Sequence, residues 1–214
     1  MGTNPTGTPR RQGPGRPRSE RSRKSILAAA ASLLHKQGLR DMSIEAVAAR
    51  AGVSKKTIYR WWPSKGVLAL DAIYVEWSRA RGAVPNRGTL QADLRSRMRA
   101  TAHVLNSPTL GSALASLIAE AQADPELEGA YTEHVLEPLR AQVRVILERA
   151  IDRGEVPEDI DLDAAVDLLQ GPLYLRLLHT HAPLDQRFAD TIVRLATHGL
   201  QNGAMASQAA AAPD

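Results

Sequence analysis

The sequence predicts an all-α fold of about nine helices, and three observations carry that expectation. From residue 20 to about residue 200 the apolar residues recur three and four apart, and no alternating strand pattern interrupts them. Gly and Pro fall between the periodic segments rather than inside most of them. Between Ile44 and Trp62, IEAVAARAGVSKKTIYRWW, two short helical patterns meet at Gly52.

Residues 1–19 are rich in Thr, Pro, Gly and Arg and end in GPGRPRS, a composition that cannot bury enough surface to fold alone. They are expected to form a flexible basic arm. Glu20 then opens a first helix whose stripe is Ile26, Leu27, Ala30, Leu33 and Leu34, with a stop at Gly38. Ser43 is placed to cap the second helix, which closes at Gly52. Val47, Ala48 and Ala51 lie on one face of it, and Val53 and Ile58 supply the matching face from the turn and the third helix.

Gly52 suits a left-handed turn position that a Cβ would disfavour. Ser54 can cap the third helix, which leaves Lys55, Lys56, Thr57, Tyr59 and Arg60 around a helix start suited to phosphates. Pro63 and Ser64 break the chain and open a linking helix to about Arg81, carrying Val67, Leu68, Leu70, Ile73, Tyr74 and Trp77. Further helices are expected over about Leu90–Leu105, Thr109–Ala123, Glu126–Arg153, Leu162–His179 and Asp185–Leu200. Pro138 should kink or divide the third of these five. Residues 67–203 therefore read as one helical domain after a head over 20–66, and the Ala-rich 204–214 as a disordered tail.

Composition bounds the function. The 214 residues include no cysteine, which excludes disulfides, thiolate catalysis and Cys-ligated zinc. No apolar run approaches the roughly 20 residues of a membrane span, and the polar N-terminus has no signal-peptide core, so the expected location is cytoplasmic, at the nucleoid. The net charge of +4 hides an asymmetry: residues 1–66 hold 14 Lys and Arg against 3 Asp and Glu, whereas the rest is acidic. A basic head joined to an acidic body is the footprint of a chain whose first domain meets nucleic-acid phosphates.

The segment IEAVAARAGVSKKTIYRWWPSKGVLALDAI resembles the DNA-binding region of TetR/AcrR-type transcriptional regulators. Ala51-Gly52-Val53-Ser54, Thr57-Ile58-Tyr59 and Ser64-Lys65 stand in the family's order, and the likeness covers roughly Arg21 to Ile73. Family members usually end the aromatic pair in Phe, where this chain has Trp61-Trp62. The resemblance implies phosphate contacts by Ser43, Tyr59 and Lys65, and minor-groove contacts by Arg16 and Arg18 of the arm, although a solvated tail is the alternative for the arm. Lys55, Lys56 and Thr57, with Ser54, are the candidates nearest base edges. Arg60 and Trp61 either flank the DNA, or Trp61 packs with Trp62 on the first helix.

DLDAAVDLLQGPLYLRLL and APLDQRFADTIVRLATHGL resemble the family's last two helices, which usually form a dimer interface. Ala165, Leu168, Leu169, Leu173, Ile192, Leu195 and Ala196 are the candidate interface stripe, and completion of a monomer core is the competing reading. A homodimer would match a palindromic operator in double-stranded DNA. The family also implies a pocket for a small-molecule effector, for which Trp77, His103, Tyr131, His134 and Tyr174 are candidates. With one Phe in the chain, that pocket should be lined by aliphatic residues and suit an apolar or amphipathic compound.

No cofactor and no metal site is expected. The pair His179 and His181, with Asp185 beyond Pro183, has no third ligand at recognisable spacing, and the acidic run Glu155 to Asp163 sits where a helix begins, so an enzyme is not expected. An architectural DNA-binding dimer without an effector is the alternative to a ligand-controlled repressor.

Overall fold

A computed structural model describes residues 16–210, and among them every regular element is helical. The order is α1 (Arg16–Asp41), α2 (Ile44–Ala51), α3 (Lys55–Tyr59), α4 (Lys65–Arg81), α5 (Leu90–Leu105), α6 (Leu110–Ala121), α7 (Pro125–Tyr131), a π-turn (Thr132–Leu136), α8 (Glu137–Asp152), α9 (Leu162–His179) and α10 (Gln186–Ala210). Because α7, the π-turn and α8 run on without a break, nine separate rods result among the described residues.

Local chemistry sets most boundaries. Helix α1 carries a break at Gly38, whose φ of 75° and ψ of 177° leave the helical region where the sequence placed a stop. Ser43, Ser54, Ser64 and Thr89 cap α2, α3, α4 and α5, each side chain accepting a hydrogen bond from the third backbone N–H onward. Gly52 closes α2 in the left-handed conformation, φ 67° and ψ 36°, with Val53 N–H returning to the Ala48 carbonyl. Asp185 is the cap of α10 rather than its first residue, accepting from the Phe188 N–H at 2.8 Å.

Both ends depart from expectation. The helix begins at Arg16, so Arg16 and Arg18 belong to α1 and not to an arm ending at residue 19. Pro17 falls in the first turn, where its missing N–H costs nothing. Residues 1–15 lie outside the described residues. Helix α10 continues through Ala210, past the expected helix end near Leu200 and into the expected tail from 204, in keeping with the high helix propensity of its alanines; residues 211–214 are outside the description.

Pro138 does reshape its helix, and the form is specific. It cannot donate to the carbonyl of His134, and the turn before it widens into the π-turn before α-geometry resumes at Glu137. Pro172 sits inside α9 without ending it. The buried residues form one continuous core from Ile26 to Ala196 that runs through head and body alike. Helix α4 joins them: it packs on α1 of the head and on α5, α6 and α7 of the body. Its Gly66 lies so near α7 that a Cβ there would meet Leu127 Cδ2 at 3.0 Å.

Candidate nucleic-acid interface

The reading head is built from α1, α2 and α3. Ile26, Ala30, Leu34, Val47 and Ile58 are buried between them, and burial of each aliphatic side chain is worth about 1.5–3 kcal/mol. With Ile58 at 0% exposure as the pin, the other residues of α3 turn outward. Ser54, Lys56, Thr57, Tyr59 and Arg60 line one open cleft on that outer face. Tyr59 is 52% exposed, a large aromatic left in water beside cations. Such a cluster offers hydroxyls and cations to a phosphate backbone and long donors to base edges.

The sequence-derived residues divide according to what already occupies them. Ser43 accepts from the Ala46 N–H at 3.1 Å, which leaves its hydroxyl proton to donate outward. Ser54 and Thr57 hydroxyls bond one another at 3.0 Å, and Ser54 also accepts the Thr57 N–H. Lys55 reaches back to Glu45 at 2.8 Å, and the pairing holds the Glu45 carboxyl below its ordinary range and the ammonium above. Lys56 and Arg60 point to solvent, and the Arg60 guanidinium lies 5.8 Å from the Trp61 ring centre. Lys65 is half-buried and donates to the carbonyls of Leu39 and Arg40 at 3.0 and 3.4 Å, stapling the end of α1 to the start of α4. One of its three N–H bonds remains for a phosphate.

The two tryptophans separate. Trp61 is 39% exposed, whereas Trp62 is buried at 1% and donates its indole N–H to Asp71 Oδ2 at 2.8 Å. Asp71 had no place among the sequence candidates; its only signal was one carboxylate inside the apolar run Val67 to Ile73.

The effector candidates are not one group. Trp77 is fully buried on α4, Tyr131 and Tyr174 pack against the core, and burial pushes the Tyr131 phenol up. His134 sits in the π-turn with Nδ1 3.2 Å from Asp71 Oδ1. His103 is corrected: it projects to solvent from α5, because Ala102 and Val104 beside it take the buried positions.

The dimer candidates also need correction. Leu169 and Leu173 are 0% exposed, and Ala165, Ile192 and Ala196 are likewise buried within the protomer, so they complete its core. Leu168 and Leu195 face outward, and Leu175 and Leu178 join them. Residues 168, 171, 175 and 178 form a three-and-four stripe on α9, of which the sequence reading named Leu168 and mixed it with the inward Leu169 and Leu173.

Known proteins match this arrangement over most of the chain. The pattern described as "Bacterial regulatory proteins, tetR family" covers residues 26–72, and "Tetracyclin repressor-like, C-terminal domain" covers residues 84–196. The uncharacterised HTH-type transcriptional regulator YdeS of Bacillus subtilis (strain 168) is 34% identical over 87% of this chain and 93% of its own length. The DNA-binding transcriptional repressor TetR of Mycobacteroides abscessus is 32% identical over 82% of this chain and 92% of its own. The crystal structure of the TetR family transcription regulator SCO0332 superimposes with a TM-score of 0.76 at 36% identity, covering 83% of this chain and 97% of that one. No described helix is long and apolar enough to cross a membrane. With a helix-turn-helix whose polar face is open and a second helical body behind it, the chain belongs to the TetR family of DNA-binding transcriptional regulators.

Proposed function

We propose that this chain is a homodimeric repressor that leaves a palindromic operator when a small apolar or amphipathic compound binds its C-terminal domain. The observation that carries the reading is α4: one uninterrupted helix meets α1 of the head, from Lys65 bonding the Leu39 carbonyl to Glu76 bonding His35, and packs as well on α5, α6 and α7 of the body. A compound that alters packing around α4 in the body must therefore tilt a helix that also seats the head. It shifts the equilibrium only by its preference for the non-binding arrangement. The name of the M. abscessus relative, a repressor, supports the sign of regulation.

Two exposed reading heads related by a two-fold axis would meet half-sites about 34–36 Å apart. Ser54, Lys55, Lys56, Thr57, Tyr59, Arg60 and Trp61 face the groove, and Ser43 and Lys65 hold the flanking backbone. The core, which includes Trp77 and against which Tyr131 and Tyr174 pack, is largely aliphatic and suits an apolar effector. The test is release of a duplex, selected from genomic fragments by the protein itself, across a panel of apolar and amphipathic compounds. A compound that lowers affinity while raising the melting temperature supports the reading. If every compound that raises the melting temperature leaves DNA affinity unchanged, control by an effector fails and an architectural dimer replaces it.

A further inference from the structure

One carboxylate, on α4, joins the reading head to the body. Asp71 Oδ2 accepts the Trp62 indole N–H at 2.8 Å, and Arg23 Nη2 from α1 lies 3.3 Å from the same oxygen. The Arg23 guanidinium is also 5.8 Å from the Trp62 ring centre. The other oxygen, Oδ1, faces His134 Nδ1 of the π-turn at 3.2 Å. Glu133 Oε2 lies 3.9 Å from the far nitrogen of that imidazole and is strongly exposed. Two head elements thus meet one oxygen, and the body meets the other.

We propose that Asp71 is a positioning residue for the recognition helix, and that through it His134 ties the seating of α3 to the π-turn of the body. Trp62 is rigidly continuous with α3, since the backbone N–H groups of Trp61 and Trp62 both return to the Ile58 carbonyl at 2.9 and 3.0 Å. Whatever fixes the indole fixes the end of α3. A phenylalanine at position 62 has no N–H and would leave the circuit open, so this tryptophan is what closes it.

The π-turn sets where His134 stands: Pro138 cannot donate to the His134 carbonyl, and Val135 beside it is anchored at 0% exposure. Withdrawal of the imidazole leaves Asp71 held by Trp62 and Arg23 alone, both on the head side. The link operates in the protein without any effector and so goes beyond the function proposed above.

The experiment is a double-mutant cycle on the full chain. Wild type, Trp62→Phe, His134→Gln and the double variant are titrated by fluorescence anisotropy with a duplex that the wild-type protein selects from a random pool. Trp62→Phe should weaken binding about tenfold and His134→Gln about threefold, while the double variant stays near tenfold, because both cut one path. A double variant weakened about thirtyfold, or a His134→Gln variant with unchanged affinity, overturns the proposal. A merely structural loss at either residue would multiply.

A second measurement uses no DNA, and so separates this proposal from the reading of the chain as a DNA binder. In 15N spectra of the unliganded protein, with the Trp62 indole signal assigned through its backbone, His134→Gln should shift that signal. Asp71→Asn keeps an acceptor for the indole but drops the charge, and in that background His134→Gln should no longer move it. An indole signal indifferent to His134 in the wild-type background refutes the link, even if Trp62→Phe fails to fold.

Discussion

Leu195→Ala should dissociate the dimer without unfolding the protomer. Leu195 on α10 is 66% exposed, and Leu168, Leu175 and Leu178 on α9 are 55%, 53% and 45% exposed, which leaves four half-wet leucines on two packed helices. Full burial of a leucine is worth about 2 kcal/mol, so completing the burial of Leu195 against a partner contributes roughly 1.3 kcal/mol. A two-fold interface uses the patch twice, and the paired loss of about 2.6 kcal/mol corresponds to roughly 80-fold in dissociation constant. Sedimentation velocity across a dilution series measures that constant directly. The control is Leu169→Ala, one residue along α9 from Leu168 but 0% exposed: it should cost about 2–5 kcal/mol of protomer stability through the cavity it leaves. A Leu195→Ala chain that dissociates at the wild-type concentration would refute the assignment of this face.

Gly52→Ala should lower folding stability by about 1–2 kcal/mol in urea titration, since no atom lies within 4 Å of the added Cβ and the cost is the left-handed backbone alone. An unchanged midpoint would mean that the turn relaxes without cost. Asp190, joined to Arg99 at 2.7 Å, links α10 to α5, and that bond holds its carboxyl below the ordinary range. Its contribution is therefore present above the unfolded value of about 4 and is lost as pH falls through the depressed folded value. Asp190→Asn should lower the urea midpoint at pH 7 and flatten its decline toward pH 3, and parallel acid limbs in the two proteins would contradict this. Binding to the selected duplex should weaken steeply with salt, and Lys56→Ala should cost about 1–3 kcal/mol on that duplex and relax the preference for it over unrelated sequences. A loss uniform across sequences, with the log–log salt slope reduced by about one, would place Lys56 on phosphate and away from the bases.

Much of the head was legible because its signals are local. A serine three residues before the N–H it accepts, a glycine where φ must be positive and an apolar triplet on one helical face all lie within a few positions of one another. The capping of α2 and α3 and the closure of α2 at Gly52 followed from those alone. The Trp61-Trp62 pair shows the boundary of such reasoning. Adjacent and chemically identical, they part company in the packed structure, where Trp62 joins the core and donates to Asp71, nine residues further on, and Trp61 stays exposed. His103 met the same limit: a helical pattern places it near the buried side, and only the neighbours packed on α5 decide that Ala102 and Val104 take the interior.

The sequence by itself determined the class of the chain: helices throughout, a basic head against an acidic body, and a helix-turn-helix whose cap and turn residues leave little choice of local geometry. Tertiary structure decided which side of each helix is spent inside the protomer. Apolar periodicity marks a stripe, but on α9 that stripe is wide enough to serve both a core and an outer face. Leu169 and Leu173 were taken by the first, and Leu168, Leu175 and Leu178 were left for the second. The junction of head and body was likewise beyond the sequence, because residues 23, 62, 71 and 134 converge only when four elements have packed, and no periodicity connects positions so far apart.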